Sequence, residues 1–303
     1  MDSPGTASGI DALIPAEMAQ KAADVGVKKA GLDTLSMFGL SVLAGAFIAI
    51  GAVFATTVGA GSLNLHDTTG ASVTGSIPYG ITRLLAGLAF SLGLILVVVA
   101  GAELFTGNNL IVMAWASRRV RTVAMLRNWV IVYVGNFVGA IATVVLLFLS
   151  GQYRFAGGAV GAAALATANT KGGYGFLQAL VLGIMCNALV CLAVWLTYSA
   201  RSTTDRILAI VPPIAAFVAI GFEHSVANMY FIPIGILIRD FAPPAFWTEI
   251  GHAPGDYPAV DWSGLVSNLV PVTIGNIIGG AVLVAGIYWL IYLRRSTEAS
   301  PGD

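Results

Sequence analysis

Long apolar runs separated by short polar stretches dominate the chain. A helix that crosses the hydrocarbon core of a bilayer needs about 20 mostly apolar residues, and six runs reach that length. They lie at residues 35–58, 83–116, 123–150, 176–199, 207–237 and 267–293. The second and fifth runs are too long for one straight helix, and a polar, glycine-containing stretch interrupts each of them. The pattern therefore predicts six transmembrane helices, of which the second and the fifth are broken.

The composition agrees with a membrane protein. Hydrophobic residues make up 57% of the 303 positions and charged residues only 10%, whereas a soluble domain carries about 25% charged residues. The chain therefore cannot cover a globular surface with charge, and we expect an all-α integral membrane protein in contact with lipid. The formal net charge is zero, so the bulk charge indicates no acidic partner, and no nucleic acid is expected.

The segments around the spans predict the orientation in the membrane. Residues 15–30 form an amphipathic pattern that begins with a proline, which predicts a short helix along the membrane surface. The chain thus divides into an N-terminal segment (1–34), a six-helix transmembrane domain (35–293) and a tail (294–303). Eleven of the fifteen Lys and Arg residues fall in the N-terminal segment, the two loops on its side and the tail. Such a bias predicts that both termini are cytoplasmic.

Two motifs occur twice along the chain, in the same order. GAELFTGNN (101–109) in the second run matches GFEHSVANM (221–229) in the fifth. YVGNFVGA (133–140) in the third run matches TIGNIIGG (273–280) in the sixth. Transporters are often built from internal repeats. Because each half holds an odd number of spans, the motifs predict a 3+3 inverted repeat.

The interruption of the fifth run places a histidine inside an apolar segment. Ionisable residues within a membrane span are costly, which favours a functional role for His224. Broken helices offer free N–H groups and a dipole that favour an anion, and the interface between repeats usually holds the substrate. His224 can donate a hydrogen bond or a proton to such an anion. Thr106, at the other interruption, supplies a hydroxyl for His224 or for the substrate.

The other polar residues in the spans favour structural roles. Glu103 and Glu223 are interpreted as groups that cap exposed backbone N–H groups or pair across the repeat, because a carboxylate in the pathway would repel anions. Asn187 fits a helix–helix hydrogen bond and a pore position equally well. The glycine–asparagine motifs are interpreted as closely packed helix faces. The three histidines are scattered, so no metal site, no cofactor and no enzyme activity are expected.

Five stretches resemble the formate/nitrite transporter family, most closely its formate channel branch. They are GAELFTGNNLIV, YVGNFVGA, CNALVCLAVW, GFEHSVANMYFIPIGILIRDF and PVTIGNIIGGAVLVAGIYWLIYLR. The resemblance covers roughly residues 10–295. It implies an aquaporin-like protomer, a homopentamer with one pore in each protomer, and a place in the inner membrane.

The resemblance also implies roles for single residues. The pore positions that it assigns are His224, Thr106, Asn228, Asn187 and Glu223. The apolar constrictions that it assigns are Leu94 and Phe90 towards the periplasm and Leu104 and Phe217 towards the cytoplasm. Lys171 falls on a residue that attracts anions at the outer mouth. The connection at 59–82 looks longer than is usual in the family, and we expect it to cover the outer mouth or to contact a neighbouring subunit.

The function expected from the resemblance is passive, pH-sensitive transport of formate past His224. A nitrite or hydrosulfide channel of the same family is an alternative, because the pore residues named above are largely shared. A neutral-solute channel of the aquaporin type is a third possibility. Against it, Asn108 and Asn228 are not followed by proline, so the Asn-Pro-Ala motif of water channels is absent.

Overall fold

The computed structural model describes residues 12–61, 63–66, 72–75 and 77–294, with the backbone alone for the two short central ranges. The first eleven residues and the tail beyond Arg294 lie outside the described residues, and so does the expected tail segment 294–303 apart from its first residue. Six helices among the described residues are long and apolar enough to cross a membrane, as the sequence predicts. These are Thr34–Val58, Tyr79–Ala100, Thr122–Ser150, Phe176–Thr197, Thr203–Ile220 and Trp262–Tyr292.

The described residues form twelve helices and one β-hairpin. The helices are α1 Pro15–Ala30, α2 Thr34–Val58, α3 Tyr79–Ala100, α4 Val112–Ala116, α5 Thr122–Ser150, α6 Ala159–Gly172, α7 Phe176–Thr197, α8 Thr203–Ile220, α9 Ser225–Phe241, α10 Pro244–Ile250, α11 Trp262–Ile277 and α12 Ile287–Tyr292. Short 3₁₀ turns lie at Gly107–Ile111, Gln152–Arg154 and Pro254–Asp256, and a π-helical segment, Ile278–Gly286, joins α11 to α12.

A β-hairpin departs from the all-α expectation. Strands β1 (Leu63–His66) and β2 (Ser72–Gly75) pair in antiparallel fashion, with Leu65 opposite Val73. The hairpin occupies the long connection between α2 and α3. Apolar residues that alternate with polar ones, as in Leu63–His66, favour a strand. The pattern is only four residues long and lies between much longer apolar runs, so the sequence analysis did not identify it.

Polar residues at the helix ends determine where two of the spans begin. Asp33 precedes α2 and its side chain accepts the backbone N–H of Ser36. This hydrogen bond holds the pKa of Asp33 below its usual value. Ser202 precedes α8, and its hydroxyl accepts the backbone N–H of Asp205. Such caps satisfy N–H groups that have no partner inside the helix.

Glycines let neighbouring helices approach closely, as the paired motifs predict. At Gly139 of α5 a Cβ atom would collide with the backbone carbonyl oxygen of Val42 in α2. At Gly279, just after α11, a Cβ atom would collide with the carbonyl oxygen of Ile184 in α7. Only glycine leaves room for these backbone contacts, so both motifs serve to pack helix against helix.

Replacing Gly139 with alanine is expected to destabilise the protein. The added methyl group forces α2 and α5 apart, and overpacking of this kind costs about 1–3 kcal/mol. Thermal unfolding of the purified protein in detergent measures the effect as a lower apparent Tm. Gly39→Ala is the matched control, because a Cβ atom at Gly39 meets nothing within 4 Å. Equal Tm values for the two variants would contradict the packing role.

Candidate functional site

The helical chain stops twice inside the apolar runs. α3 ends at Ala100, where Gly101 adopts φ 84°, and α8 ends at Ile220, where Gly221 adopts φ 91°. These φ values lie in the left-handed region that favours glycine. Helical structure resumes at Gly107 and at Ser225. We call residues 101–106 the first break and residues 221–224 the second break.

One asparagine satisfies the exposed backbone of the first break. Asn136 of α5 is fully buried. Its Oδ1 accepts the N–H of Phe105 (2.9 Å), and its Nδ2 donates to the carbonyl oxygens of Glu103 (2.9 Å) and Ser41 (2.7 Å). Backbone groups at membrane depth must find partners within the protein. Asn136 therefore takes the place of the hydrogen bonds that the interrupted helix lacks.

A second asparagine does the same at the second break. Asn276 of α11 accepts the N–H of Ser225 at Oδ1 (2.9 Å). Its Nδ2 donates to the carbonyl oxygens of Glu223 (3.0 Å) and Gly183 (2.8 Å). The two bonds to the break, at residues 223 and 225, lie on either side of His224. Asn276 therefore holds the backbone that carries His224.

Each break also holds a buried carboxylate that is paired with a lysine. Glu103 accepts a hydrogen bond from Lys29 of α1 (2.6 Å) and another from Asn108 (2.7 Å). Glu223 accepts hydrogen bonds from Lys171 of α6 (2.6 Å) and from Asn228 (2.7 Å). Buried carboxylates are tolerated when they are paired and hydrogen-bonded in this way.

The interpretation of the two glutamates as caps or as a pair across the repeat is therefore wrong. Each carboxylate accepts hydrogen bonds from a lysine in the same half of the chain and from asparagine amides. Asn268 donates a further hydrogen bond to Glu223 at 3.1 Å. The physical reason is that Asn136 and Asn276 already serve the N–H groups of the breaks. The carboxylates are consequently free to bind cations.

His224 begins α9 and contacts the other break. Its Nδ1 accepts the backbone N–H of Ala227 (3.0 Å). Because Nδ1 accepts, the proton of the neutral ring lies on Nε2. Nε2 lies 2.9 Å from the hydroxyl oxygen of Thr106 and so donates to it. The structure therefore brings together the two polar residues that were expected at the two interruptions, both of them buried.

Asn187 and Asn228 form hydrogen bonds with residues outside their own helices. The Nδ2 group of Asn187 donates to the carbonyl oxygen of Asn276 (2.7 Å) and lies 3.2 Å from the carbonyl oxygen of Thr106. Of the two readings left open for Asn187, the structure contains the helix–helix hydrogen bond. Asn228 donates to Glu223 and to Asn268 (2.7 Å each). Neither asparagine lines the cavity described next.

A cavity of about 390 Å³ leads to His224, and we call it the vestibule. Its walls come from the ends of α2, α3, α6 and α8 and from the start of α9. Tyr79 and Arg83 lie in the first turns of α3 and Tyr174 lies in the loop after α6, whereas Phe90 lies further into α3 and Phe217 lies just before the second break. The vestibule therefore changes from polar to aromatic on the way to the histidine.

Two of the four phenylalanines that line the vestibule, Phe90 and Phe217, lie in contact with each other. The ring centroids of Phe90 and Phe217 lie 5.6 Å apart, edge to face, and the ring of Phe217 stacks at 6.0 Å on that of His224. Phe90 and Phe217, which were assigned to two different constrictions, thus lie in contact, and their roles as constriction residues stay a prediction. The contact follows from the close approach of α3 and α8 at Gly87, where a Cβ atom would meet the backbone of α8.

The other two residues that were assigned to constrictions, Leu94 and Leu104, are buried and do not belong to the described lining of the vestibule. Their assignment as constriction residues stays a prediction.

Lys171 lies in the wall of the vestibule, and its place at the outer mouth stays a prediction. Its Nζ is 2.6 Å from Glu223 and 5.3 Å from the centroid of the Phe231 ring. The carboxylate compensates its positive charge. Lys171 therefore presents hydrogen-bond donors to the vestibule without adding net charge.

Sequence reasoning missed two residues of this site. Asn276 was counted as part of a packing motif, and Arg83 was given no role. A signal for Arg83 was present in the sequence, because it lies seven residues before Phe90 and hence on the same face of a helix. For Asn276 the signal was the repetition of the asparagine itself in both halves of the chain.

Comparisons with known proteins agree with this architecture. The model of the formate/nitrite transporter family matches residues 16–290. Formate channel FocA of Escherichia coli (strain K12) is 49% identical over 287 residues, which cover 94% of this chain and 96% of that protein. Formate channel FocA of Haemophilus influenzae is 43% identical over 274 residues, which cover 90% and 92%.

A solved structure is similar throughout. It is described as a pentameric formate channel with formate bound, and it superimposes with a TM-score of 0.77 at 46% identity. The match covers 86% of this chain and 98% of that chain. The relatives named here are channels, which agrees with the expectation that the protein is not an enzyme. With its six apolar helices the protein is an integral membrane protein, and it belongs to the formate/nitrite transporter family.

Proposed function

We propose that the protein is a passive channel for formate in the cytoplasmic membrane. The observation that carries the proposal is the buried pair of His224 and Thr106 at the end of a vestibule whose deeper walls are aromatic. A small anion that loses its water there meets hydrogen-bond donors. The naming of the E. coli and H. influenzae relatives as formate channels supports formate as the substrate.

We further propose that the protomer is a 3+3 inverted repeat with an aquaporin-like pore. The support is the duplicated set of contacts, in which an asparagine, a lysine and a buried glutamate recur at each break. Three spans in each half require that the halves have opposite orientations. The description of the similar structure as pentameric supports a homopentamer, and the bias of Lys and Arg supports cytoplasmic termini.

Transport begins with loss of the hydration shell. Phe90 and Phe217 offer no hydrogen bonds, so a hydrated ion meets a high desolvation cost between the rings. A small anion regains hydrogen bonds only where the polar groups of the breaks begin. This arrangement excludes large and strongly hydrated ions.

His224 then acts on the anion. In the neutral ring, Nε2–H donates to Thr106, and an arriving carboxylate replaces Thr106 as the acceptor. Proton transfer requires the doubly protonated ring, in which Nδ1 also carries a proton and the bond from Ala227 is lost. The Nε2 proton then passes to a carboxylate oxygen, and the neutral acid crosses the apolar segment. On the far side the acid gives its proton to water, and Nε2 of His224 takes up a new proton from the vestibule side.

This step favours the anions of weak acids. Chloride does not accept the proton under these conditions, so it would have to cross as a charged ion. Nitrite and hydrosulfide are basic enough to compete with formate, and they are the alternatives within the family. Neutral solutes gain nothing from an exchangeable proton at His224.

Flux into proteoliposomes tests the proposal. We expect formate uptake to exceed chloride and glycerol uptake, and to rise when the pH on the feeding side falls, because the doubly protonated ring becomes more populated. Nitrite and hydrosulfide, measured in parallel at the same two pH values, establish the preferred substrate.

Protein-free liposomes provide the essential control, because formic acid also crosses lipid unaided. The rate in these liposomes is subtracted at each pH. Glycerol flux without formate flux would overturn the proposal and favour a neutral-solute channel. Equal formate and chloride flux would overturn the role of proton transfer in selectivity.

A further inference from the structure

The charges that line the vestibule do not cancel. Among the described lining residues, Arg83, Lys171 and Glu223 carry a formal charge at neutral pH. Lys171 and Glu223 form an ion pair with 2.6 Å between Nζ and Oε1, so together they contribute no net charge. One positive charge remains, and it belongs to Arg83.

The contacts of Arg83 leave about half of its charge uncompensated. Its Nε donates to the carbonyl oxygen of Ala219 at 3.4 Å, and its Nη2 donates to the carbonyl oxygen of Val218. Both acceptors lie at the C-terminal end of α8, which carries only about half an elementary negative charge. No carboxylate forms an ion pair with Arg83 within the part of the chain that the structure describes.

Arg83 lies on the way to the aromatic rings. It precedes Phe90 by seven residues on α3, which corresponds to two turns and about 10 Å along the helix axis. Ala86 lies between them on the same wall of the vestibule, and its small side chain leaves the passage open. An anion that approaches Phe90 along this wall therefore passes the guanidinium group first.

We propose that Arg83, rather than Lys171, is the residue whose charge draws anions into the vestibule. This inference rests on the proposed function, since it concerns the entry step of the same pathway. A single charge in a recess lined by protein raises the local concentration of counter-ions and speeds their entry. At about 10 Å the effect on entry is on the order of two- to tenfold.

Formate uptake by three variants at two ionic strengths tests the proposal. Arg83→Gln removes the charge and retains an amide that can donate to Val218. Arg83→Lys retains the charge with different geometry. Arg154→Gln is the matched control, because Arg154 is an exposed cation that does not belong to the described vestibule lining. Initial rates are measured in proteoliposomes with formate well below saturation, at about 10 mM and about 0.5 M salt, where screening lengths differ severalfold.

We expect Arg83→Gln to lower uptake by about two- to tenfold at low salt, with a difference that largely disappears at high salt. Arg83→Lys and Arg154→Gln should behave like the original protein. An equal loss for Arg83→Gln at both salt concentrations, or no loss at either, would overturn the proposal. So would a loss in Arg83→Lys as large as that in Arg83→Gln.

The same measurements distinguish this inference from the proposed function. If the original protein carries no formate at either salt concentration, the proposed function fails. If it carries formate and Arg83→Gln does so equally well, only the role of Arg83 fails.

Discussion

Replacing His224 with asparagine is expected to leave a folded channel whose formate transport no longer responds to pH. Asparagine is a good helix N-cap, so its oxygen can accept the N–H of Ala227 in place of Nδ1. Its amide nitrogen can still donate towards Thr106. The variant therefore keeps hydrogen bonds and loses the group that takes up and gives a proton.

The size of the effect follows from the cost of moving an unprotonated anion between apolar walls. A positioned proton donor contributes about 10²–10⁴-fold to a reaction that needs one. We therefore expect formate flux at acidic pH to fall about tenfold or more, and the rates at two pH values to become equal. Flux into proteoliposomes, corrected for protein-free liposomes, measures both quantities.

His252→Asn is the matched control for this variant. His252 is exposed and lies 3.3 Å from Asp256, in the connection between α10 and α11. Its replacement should leave the pH response unchanged. A His224→Asn variant that keeps the full pH response would contradict proton transfer by His224, while a formate-selective pore without proton transfer would still stand.

The transmembrane helices could be predicted from the sequence because a helix that crosses a membrane requires a long, nearly uninterrupted run of apolar residues. A span needs about 20 apolar residues. Four of the six runs agree with a span except at their ends, whereas the second and fifth runs continue past a break into α4 and α9. His224 and Thr106 stood out for a related reason, since a polar residue inside such a run needs a physical explanation. Both signals are local in the chain.

The partners of the buried carboxylates could not be predicted in the same way. Glu223 and Lys171 are separated by 52 positions, and Glu103 and Lys29 by 74. Each lysine lies on a helix that does not belong to the six runs, so no periodicity connects it with its glutamate. The grouping of Phe217 with Phe90 likewise depends on how closely α3 and α8 approach, which only the packing reveals.

The second large effect is expected at Asn276, which fixes the position of His224. Asn276→Asp keeps an oxygen for the N–H of Ser225. It also replaces the Nδ2 donor with an oxygen that faces the carbonyl oxygens of Glu223 and Gly183. Leaving a buried polar group without its partner costs about 1–3 kcal/mol. Two such groups and the added repulsion should destabilise the protein by several times RT and lower its apparent Tm.

Asn136→Asp is the matched variant in the other half of the chain. It removes the two matching Nδ2 hydrogen bonds, to Glu103 in the first break and to Ser41 of α2. Position 104, which matches His224 in the repeat, is a leucine. Both variants should therefore unfold at lower temperature. Only Asn276→Asp should also change the pH dependence of formate flux, because only Asn276 holds the two peptide groups beside the histidine. A pH response altered equally in both variants would show that Asn276 affects stability alone and does not position His224.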